Sequence, residues 1–438
     1  MDTGRLESPG QENPGAELHR LIVDLYPICR SITGDGFRET LRRLGRLVPL
    51  TVHEVPTGTR VFDWIVPKEW NIRDAYVKDS TGRRVIDFRE SNLHVVNYSV
   101  PTRATLTRAE LQEHLFALPE HPDWIPYRTT YYKESWGFCL SHNQLLQMKD
   151  ETYEVLIDSS LQDGHLTYGE VFLEGTTDEE VLITCHACHP SLCNDNLSGM
   201  AVATFLARAL SERRRRFSYR FLFSPGTIGS ITWLALNEDK VRRIRHGLVL
   251  ALLGDPGPFT YKRSRCGNAE IDRVAAYILG SLPGGNRVRD FTPYGYDERQ
   301  FCSPGFNLPV GSLMRTPNGE YPEYHTSADN LDFVKPSQLA ESYALCLSII
   351  DVLENNQRYV SLNPKCEPQL GRRGLYRSMG GEAEAPGFET ALLWVLNQSD
   401  GGSTLLDIAE RSRLSFDAVR SAADALRESG LLETCERH

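Results

Sequence analysis

From Val181 to Leu353, apolar runs of strand length alternate with stretches of helical period. They are VLIT, then Met200 to Leu210; YRFLF, then Ile228 to Leu236; LVLALL, then Ala269 to Leu282; and FNLPVGSLM, then Ser337 to Leu353. This alternation predicts an α/β domain built on a mostly parallel sheet. Parallel neighbours need a crossover, buried parallel strands read as continuous apolar runs, and the crossovers are right-handed. The run Tyr168 to Glu174 resembles one more strand of the same sheet. In sheets of this kind, polar side chains that bind or react gather past the carboxyl ends of the strands.

The rest of the chain has a different texture. Residues 1–14 lack apolar periodicity and are expected to be a disordered tail. Leu18 to Leu47 has helical spacing broken at Ser31 to Gly36, which predicts two helices. Residues 51–162 carry short β-like runs between Pro, Gly and Asn breaks and read as a β-rich insertion, so that 15–50 and 163–360 make up the α/β domain. Residues 361–386, rich in Gly, Pro and charge, read as a linker. In 387–438 three short helices are expected: Ala391 to Leu396, Thr404 to Arg411 and Phe416 to Ser429. Thr404 to Asp407 is a capping box, Ser415 is a cap, and Leu431 and Leu432 begin a wing, which together predict a winged helix-turn-helix.

Charge and cysteine usage narrow the function. With 48 basic and 58 acidic residues the chain carries −10, which argues against a general nucleic-acid or anionic-membrane surface. Ser403 to Thr434 holds four arginines against six acids. The terminal module is therefore expected to make protein contacts, as in a homo-oligomer, rather than to read DNA. No apolar run is long enough for a membrane span, the amino-terminal residues have no secretory pattern, and ten cysteines in a chain of 438 residues fit a reducing compartment, so the cytoplasm is expected.

The chemistry concentrates in HACHPSLCNDNLSG, residues 186–199, between an apolar strand and a helix-like run. His186, His189 and Asp195 are candidate metal ligands there. Asp255 in LLGDPGP, Asp297 and Glu298 in YGYDERQF, and His325 in EYHTSADNL sit past later strands. Each alone has an ordinary explanation: an Asp before Pro-Gly serves a turn, and a loop His is usually a surface side chain. Their joint order along successive strand ends favours a zinc site of N and O ligands. Cys185 and Cys188 offer a redox pair, or a structural zinc site with His189, as alternatives to plain burial.

The order His186, Asp195, Asp255, His325 is similar to that of zinc aminopeptidases of the bacterial leucyl aminopeptidase and glutaminyl cyclase type. CHPSLCNDNLSG, PGTIGS, DERQF, YHTSADNL and EPQLGRRGLY together resemble a bacterial family of aminopeptidase-like proteins with a β-rich insertion and a terminal winged helix. The resemblance implies that Asp195 is a metal ligand in a bridging place, with Asp255, His325 and either His186 or His189, and that one or two zinc ions are bound; the substrate expected is a small peptide, an acylated amino compound or an amino-sugar derivative. It also implies a Glu-Glu pair where this chain reads Pro225-Gly226-Thr227-Ile228-Gly229. Gly226 carries no carboxylate, so Glu298 or Asp297 must supply the general base. Peptidase activity is expected to be weak or absent in the chain as it stands, surviving only if one of them reaches the metal, and Gly226→Glu is expected to raise it about tenfold or more, unless glycine is needed there for a positive φ. The competing expectation is a non-catalytic metal-binding or regulatory protein on the same fold.

Overall fold

The structure, a computed structural model, describes residues 13–375 and 386–435. The expected tail lies outside the described residues except for its last two positions. Asn13 accepts from the Gly15 N–H and Pro14 opens the first helix, Pro14–Leu25, so both belong to a helix start rather than a tail. A second helix, Asp35–Leu44, follows. The described chain divides into two compact units, one of residues 13–272 and 282–346, the other of 273–281 and 347–435.

The first unit is organised on an eight-stranded sheet. Its strands are β1 (Thr51–Pro56), β2 (His165–Leu173), β3 (Glu180–His186), β4 (Ser218–Ser224), β5 (Ile244–Leu250), β6 (Thr260–Lys262), β7 (Arg287–Arg289) and β8 (Val310–Met314). The order is β1-β2-β4-β3-β5-β8-β6-β7. The central four, β4-β3-β5-β8, are parallel. Every residue of β3 and β4 is buried, as expected when helices cover both faces. Antiparallel pairs flank this centre on both sides, at β1-β2, β2-β4 and β8-β6. β1 therefore joins the main sheet, although its sequence falls at the start of the β-rich stretch. Only Val55 of it is buried, so its pattern does not separate it from the strands that follow.

Those strands form a second, four-stranded sheet of Glu69–Lys78, Arg84–Asp87, Thr102–Thr107 and Thr152–Gln162. Along the last strand Tyr153, Val155 and Ile157 are buried while their neighbours face outward, the period of two that gives a sheet one apolar face. That face packs with Ala75, Val77, Ile86 and Phe138 into a core of its own.

In the second unit, helices Pro386–Gln398, Leu405–Ser412 and Phe416–Glu428 stand beside a small sheet. Thr404 forms the expected capping box with Asp407, and Ser415 caps the last helix. The wing strand Leu432–Cys435 pairs with Arg358–Ser361, which also pairs with Asp400–Thr404. Arg358–Ser361 is thus a strand of this module, where the sequence suggested the end of the α/β domain and the start of a linker. Among the described residues no helix is long and apolar enough to cross a membrane.

Candidate metal centre

β3 ends at His186, and the chain then turns through residues 187–198 before the helix Gly199–Ser211. Only glycine fits at 199, since a Cβ there would lie 2.5 Å from both the Leu250 carbonyl oxygen and Asn196 Oδ1. The close approach lets Asn196 bridge to the next strand: its Nδ2 donates to the Leu250 carbonyl (3.0 Å) and its Oδ1 accepts from Leu252 N–H (3.2 Å). The turn is therefore locked onto the end of β5.

Locking the turn brings three imidazoles onto one buried carboxylate. His186 Nε2 lies 2.7 Å from Asp195 Oδ1, while His325 Nε2 and His189 Nε2 lie 2.9 and 3.9 Å from Oδ2. Donor atoms of His186, His189 and Asp195 are all within 4.8 Å of one another. Asp195 is fully buried. Burial alone would push its carboxyl up, but His189 and His186 hold it well below the usual carboxylate range. Burial, opposed by Asp195 and reinforced by His186 and His325, lowers the His189 ring to about 3, so that ring is a neutral imidazole at pH 7. For His186 burial acts downward and the adjacent carboxylate outweighs it, leaving the ring raised. A carboxylate among imidazoles, with His325 only partly buried beside them, is a donor set that could hold a zinc ion. The residues present fit the ion.

The supporting residues explain how the cluster is held. Asp329, four residues after His325, accepts from the N–H groups of Asn194 (2.5 Å) and Asp195 (2.9 Å). Burial raises its carboxyl to about 8 against those hydrogen bonds. His325 adopts φ 56°, a left-handed conformation in which a non-glycine residue is strained, and its carbonyl accepts from Tyr127 N–H at 2.7 Å. The Tyr127 ring sits 5.0 Å from the ring of His189 and 5.1 Å from that of His325. Tyr127 comes from the segment between the strands of the second sheet, so that part of the chain shapes the site. Asp329 and Tyr127 escape a reading of the sequence. Asp329 leaves one trace, its place in YHTSADNL, and Tyr127 leaves none.

Asp255 does not converge with the others. Its oxygens accept from Thr316 Oγ1 (2.6 Å), Gly257 N–H (2.8 Å) and Asn194 Nδ2 (3.1 Å), so it braces the residue next to Asp195. Glu298 is fully buried and ion-paired with Lys262, whose ammonium also donates to the Tyr294 carbonyl at 2.7 Å. That pair anchors the loop carrying Tyr296, which stacks on His186 at 4.9 Å, and Asp297. Asp297 is buried, its Oδ1 accepts from Ser230 Oγ at 3.0 Å, and its Oδ2 has no partner among the described residues. Burial raises it to about 6. Gly226 adjoins the same place, and a Cβ there would lie 3.1 Å from His186 Cβ and 4.0 Å from Asp297 Oδ1. Its φ is not positive. The constraint on position 226 is therefore crowding by His186, not the left-handed turn that the sequence left open. Cys185 and Cys188 are unbridged thiols with pKa values raised by burial; Cys188 Sγ lies 3.2 Å from His189 Nδ1, leaving Nε2 toward Asp195.

Comparison with known proteins adds context. The family model described as Domain of unknown function (DUF4910) matches residues 19–356, and a winged helix-turn-helix model matches 357–434. A Clostridium acetobutylicum protein, named as a polysaccharide biosynthesis protein with aminopeptidase-like domain, is 54% identical over 96% of each chain. A solved structure from Clostridium acetobutylicum described as a peptidase superposes with TM-score 0.92 at 53% identity, again over 96% of each chain. A zinc aminopeptidase from Bacillus subtilis superposes with TM-score 0.55 at 13% identity, over 78% of this chain and 95% of its own. At that identity the likeness shows an aminopeptidase-like fold.

Proposed function

The chain belongs to the family described as Domain of unknown function (DUF4910), and on that premise we propose that it is a zinc-dependent hydrolase of an amide bond in an acylated amino compound or small peptide. The observation that carries this reading is the convergence of His186, His189 and His325 on the buried Asp195 carboxylate, beside a second buried carboxylate, Asp297, with one oxygen unpartnered among the described residues. We assign His186, His189, Asp195 and His325 as ligands of one zinc ion and Asp255 as a brace. Zinc bound there supplies a Lewis acid that polarises an amide carbonyl and acidifies a water molecule.

The chain's own residues do the rest. Asp297 Oδ2 takes the proton from the attacking water and returns it to the leaving amine as the C–N bond breaks. A base poised near neutrality suits that exchange, and burial has moved Asp297 in that direction. Ser230 holds the other oxygen, so the carboxylate keeps one orientation. Tyr127 covers His189 and His325 and limits water at that side.

The name of the Clostridium relative favours a substrate in which the acylated amine sits on a sugar. In the terminal module Arg420 pairs with Asp351 at 2.7 Å and Arg427 with Asp424 at 3.2 Å, both on the helix that would enter a DNA groove. Such pairing supports protein contact, as in a homo-oligomer, over DNA reading. Ten unbridged cysteines fit a cytoplasmic place of action. The test is release of amine from acylated amino compounds by the zinc-loaded chain, compared with an Asp195→Asn variant: zinc retention with no hydrolysis of any amide tried would favour the binding-protein reading.

A further inference from the structure

A hairpin of Arg60–Val61 and Trp64–Ile65 is pinned to the core by Val61, which is fully buried. Its tip projects Phe62 and Trp64, each 43% exposed. With Ile231, Leu234 and Phe306 they line a groove of about 390 Å³. Phe62 meets Phe306 edge-on at 5.8 Å, and Trp64 lies 5.2 Å from Tyr132, itself 52% exposed. Single exposed aromatics are ordinary, but a cluster of them around one depression marks a contact site. The volume falls within the roughly 300–1,000 Å³ of small-molecule sites.

Ring contacts connect this groove to the metal centre. Tyr132 adjoins Tyr131 at 6.4 Å, the Tyr131 hydroxyl lies 3.1 Å from that of Tyr127, and Tyr127 packs on His189 and His325. The helix Ile228–Leu236, which lines the floor, starts two residues after Gly226, and Gln300 and Ser303 of the lining follow closely on Asp297.

The lining also selects the ligand. It contains Asp63, Glu238 and Gln300 and no lysine or arginine, which disfavours a phosphate or nucleotide group. A pyranose presents an apolar C–H face that packs on an aromatic ring, and hydroxyls that donate to carboxylate and amide oxygens at its rim. We propose that this groove is a saccharide subsite that holds a neutral or amino sugar of the substrate while the metal centre receives its amide. Only the second half of that statement rests on the hydrolase reading; the binding does not.

Isothermal titration of the full chain, zinc-loaded and metal-stripped, with a panel of neutral and N-acetylated oligosaccharides that includes tri-N-acetylchitotriose tests it, with the peptide Lys-Phe-Lys run alongside. At least one saccharide should bind in both metal states. Trp64→Ala and Phe62→Ala should each weaken it at least tenfold with melting temperature and zinc content unchanged, and Trp64→Tyr should restore most of the affinity. No saccharide binding at millimolar concentration, equal affinity in Trp64→Ala, or tighter binding of the peptide would overturn the proposal. Because binding is read without metal as well as with it, failure here is distinct from failure of the hydrolase reading, which shows as lost zinc or absent amide cleavage.

Discussion

Replacing Asp297 by Asn separates the chemistry of the site from its architecture. The side chain is buried, Ser230 Oγ anchors Oδ1, and Oδ2 is unpartnered among the described residues, so an amide of the same shape can take its place without disturbing His186. General acid-base assistance is worth about 10² to 10⁴ in rate, or about 2.7 to 5.4 kcal/mol of barrier. Asp297→Asn should therefore lower kcat by two to four orders of magnitude while zinc content stays at the parental level. A second readout has the opposite sign. A carboxyl raised from 3.8 to about 6 by burial resists ionisation in the fold by on the order of 3 kcal/mol. The folded state then binds the proton more tightly than the unfolded chain, so the Asp297 contribution to stability is greatest at low pH and is lost as pH rises through about 6. At pH 8 the Asn variant should melt higher than the parent, and the gap should close toward pH 4. Activity of the parent should fall on the acid side as the base is protonated, at or below about pH 6. Single-turnover amide hydrolysis, zinc analysis and melting curves across pH cover all three. Parental kcat in Asp297→Asn, with zinc retained, would refute the assignment.

Other perturbations follow from the same geometry. His325→Ala should strip the zinc, because it removes the imidazole 2.9 Å from Asp195 Oδ2; full zinc stoichiometry in that variant would exclude it as a ligand. Asp329→Ala leaves the Asn194 and Asp195 N–H groups without their acceptor and should weaken zinc binding by about 10- to 100-fold, measured by competition with a chelator; unchanged affinity would make Asp329 merely structural. Gly226→Glu should lower zinc content and rate, since its Cβ crowds His186 at 3.1 Å and Asp297 already stands nearby; a tenfold gain with full zinc would show that the base is missing in the parent. Outside the histidine cluster, Arg38 holds Glu69 at about 2, a depressed carboxylate whose contribution, on the order of 1 kcal/mol after solvent screening, is present above pH 4.5 and lost as pH falls toward about 2. Acid unfolding of Glu69→Gln should converge with the parent in that window, and a gap independent of pH would contradict the pairing.

The central strands were legible because burial on both faces leaves mostly apolar residues to write, as in VLIT and YRFLF, where the one charged residue, Arg220, is buried in ion pairs with Glu170 and Glu180. β1 was not, since an edge strand with one buried residue looks like any exposed β-run. Arg358–Ser361 was missed for a related reason: four residues that find their partners some forty and seventy-five positions onward carry no local period. At the site, the types and order of His186, His189, Asp195 and His325 were readable, and their convergence on a single carboxylate was not. Asp255 shows the limit most directly. Its place past a strand end is right for a ligand, yet Thr316, Gly257 and Asn194 occupy its oxygens, which only the folded chain reveals. Between Asp297 and Glu298 the sequence could not choose, because the Lys262 that engages Glu298 lies on β6, more than thirty residues earlier.

The measurement that bears most directly on the account is metal analysis of the full chain purified without a histidine tag, beside Asp195→Asn prepared in the same way. About one zinc per chain is expected in the parent, with loss of most of it in the variant while the fold, read by circular dichroism, persists. A parent that binds no zinc even after incubation with the ion, or an Asp195→Asn variant that keeps it in full, would contradict the assignment of this cluster as a metal centre.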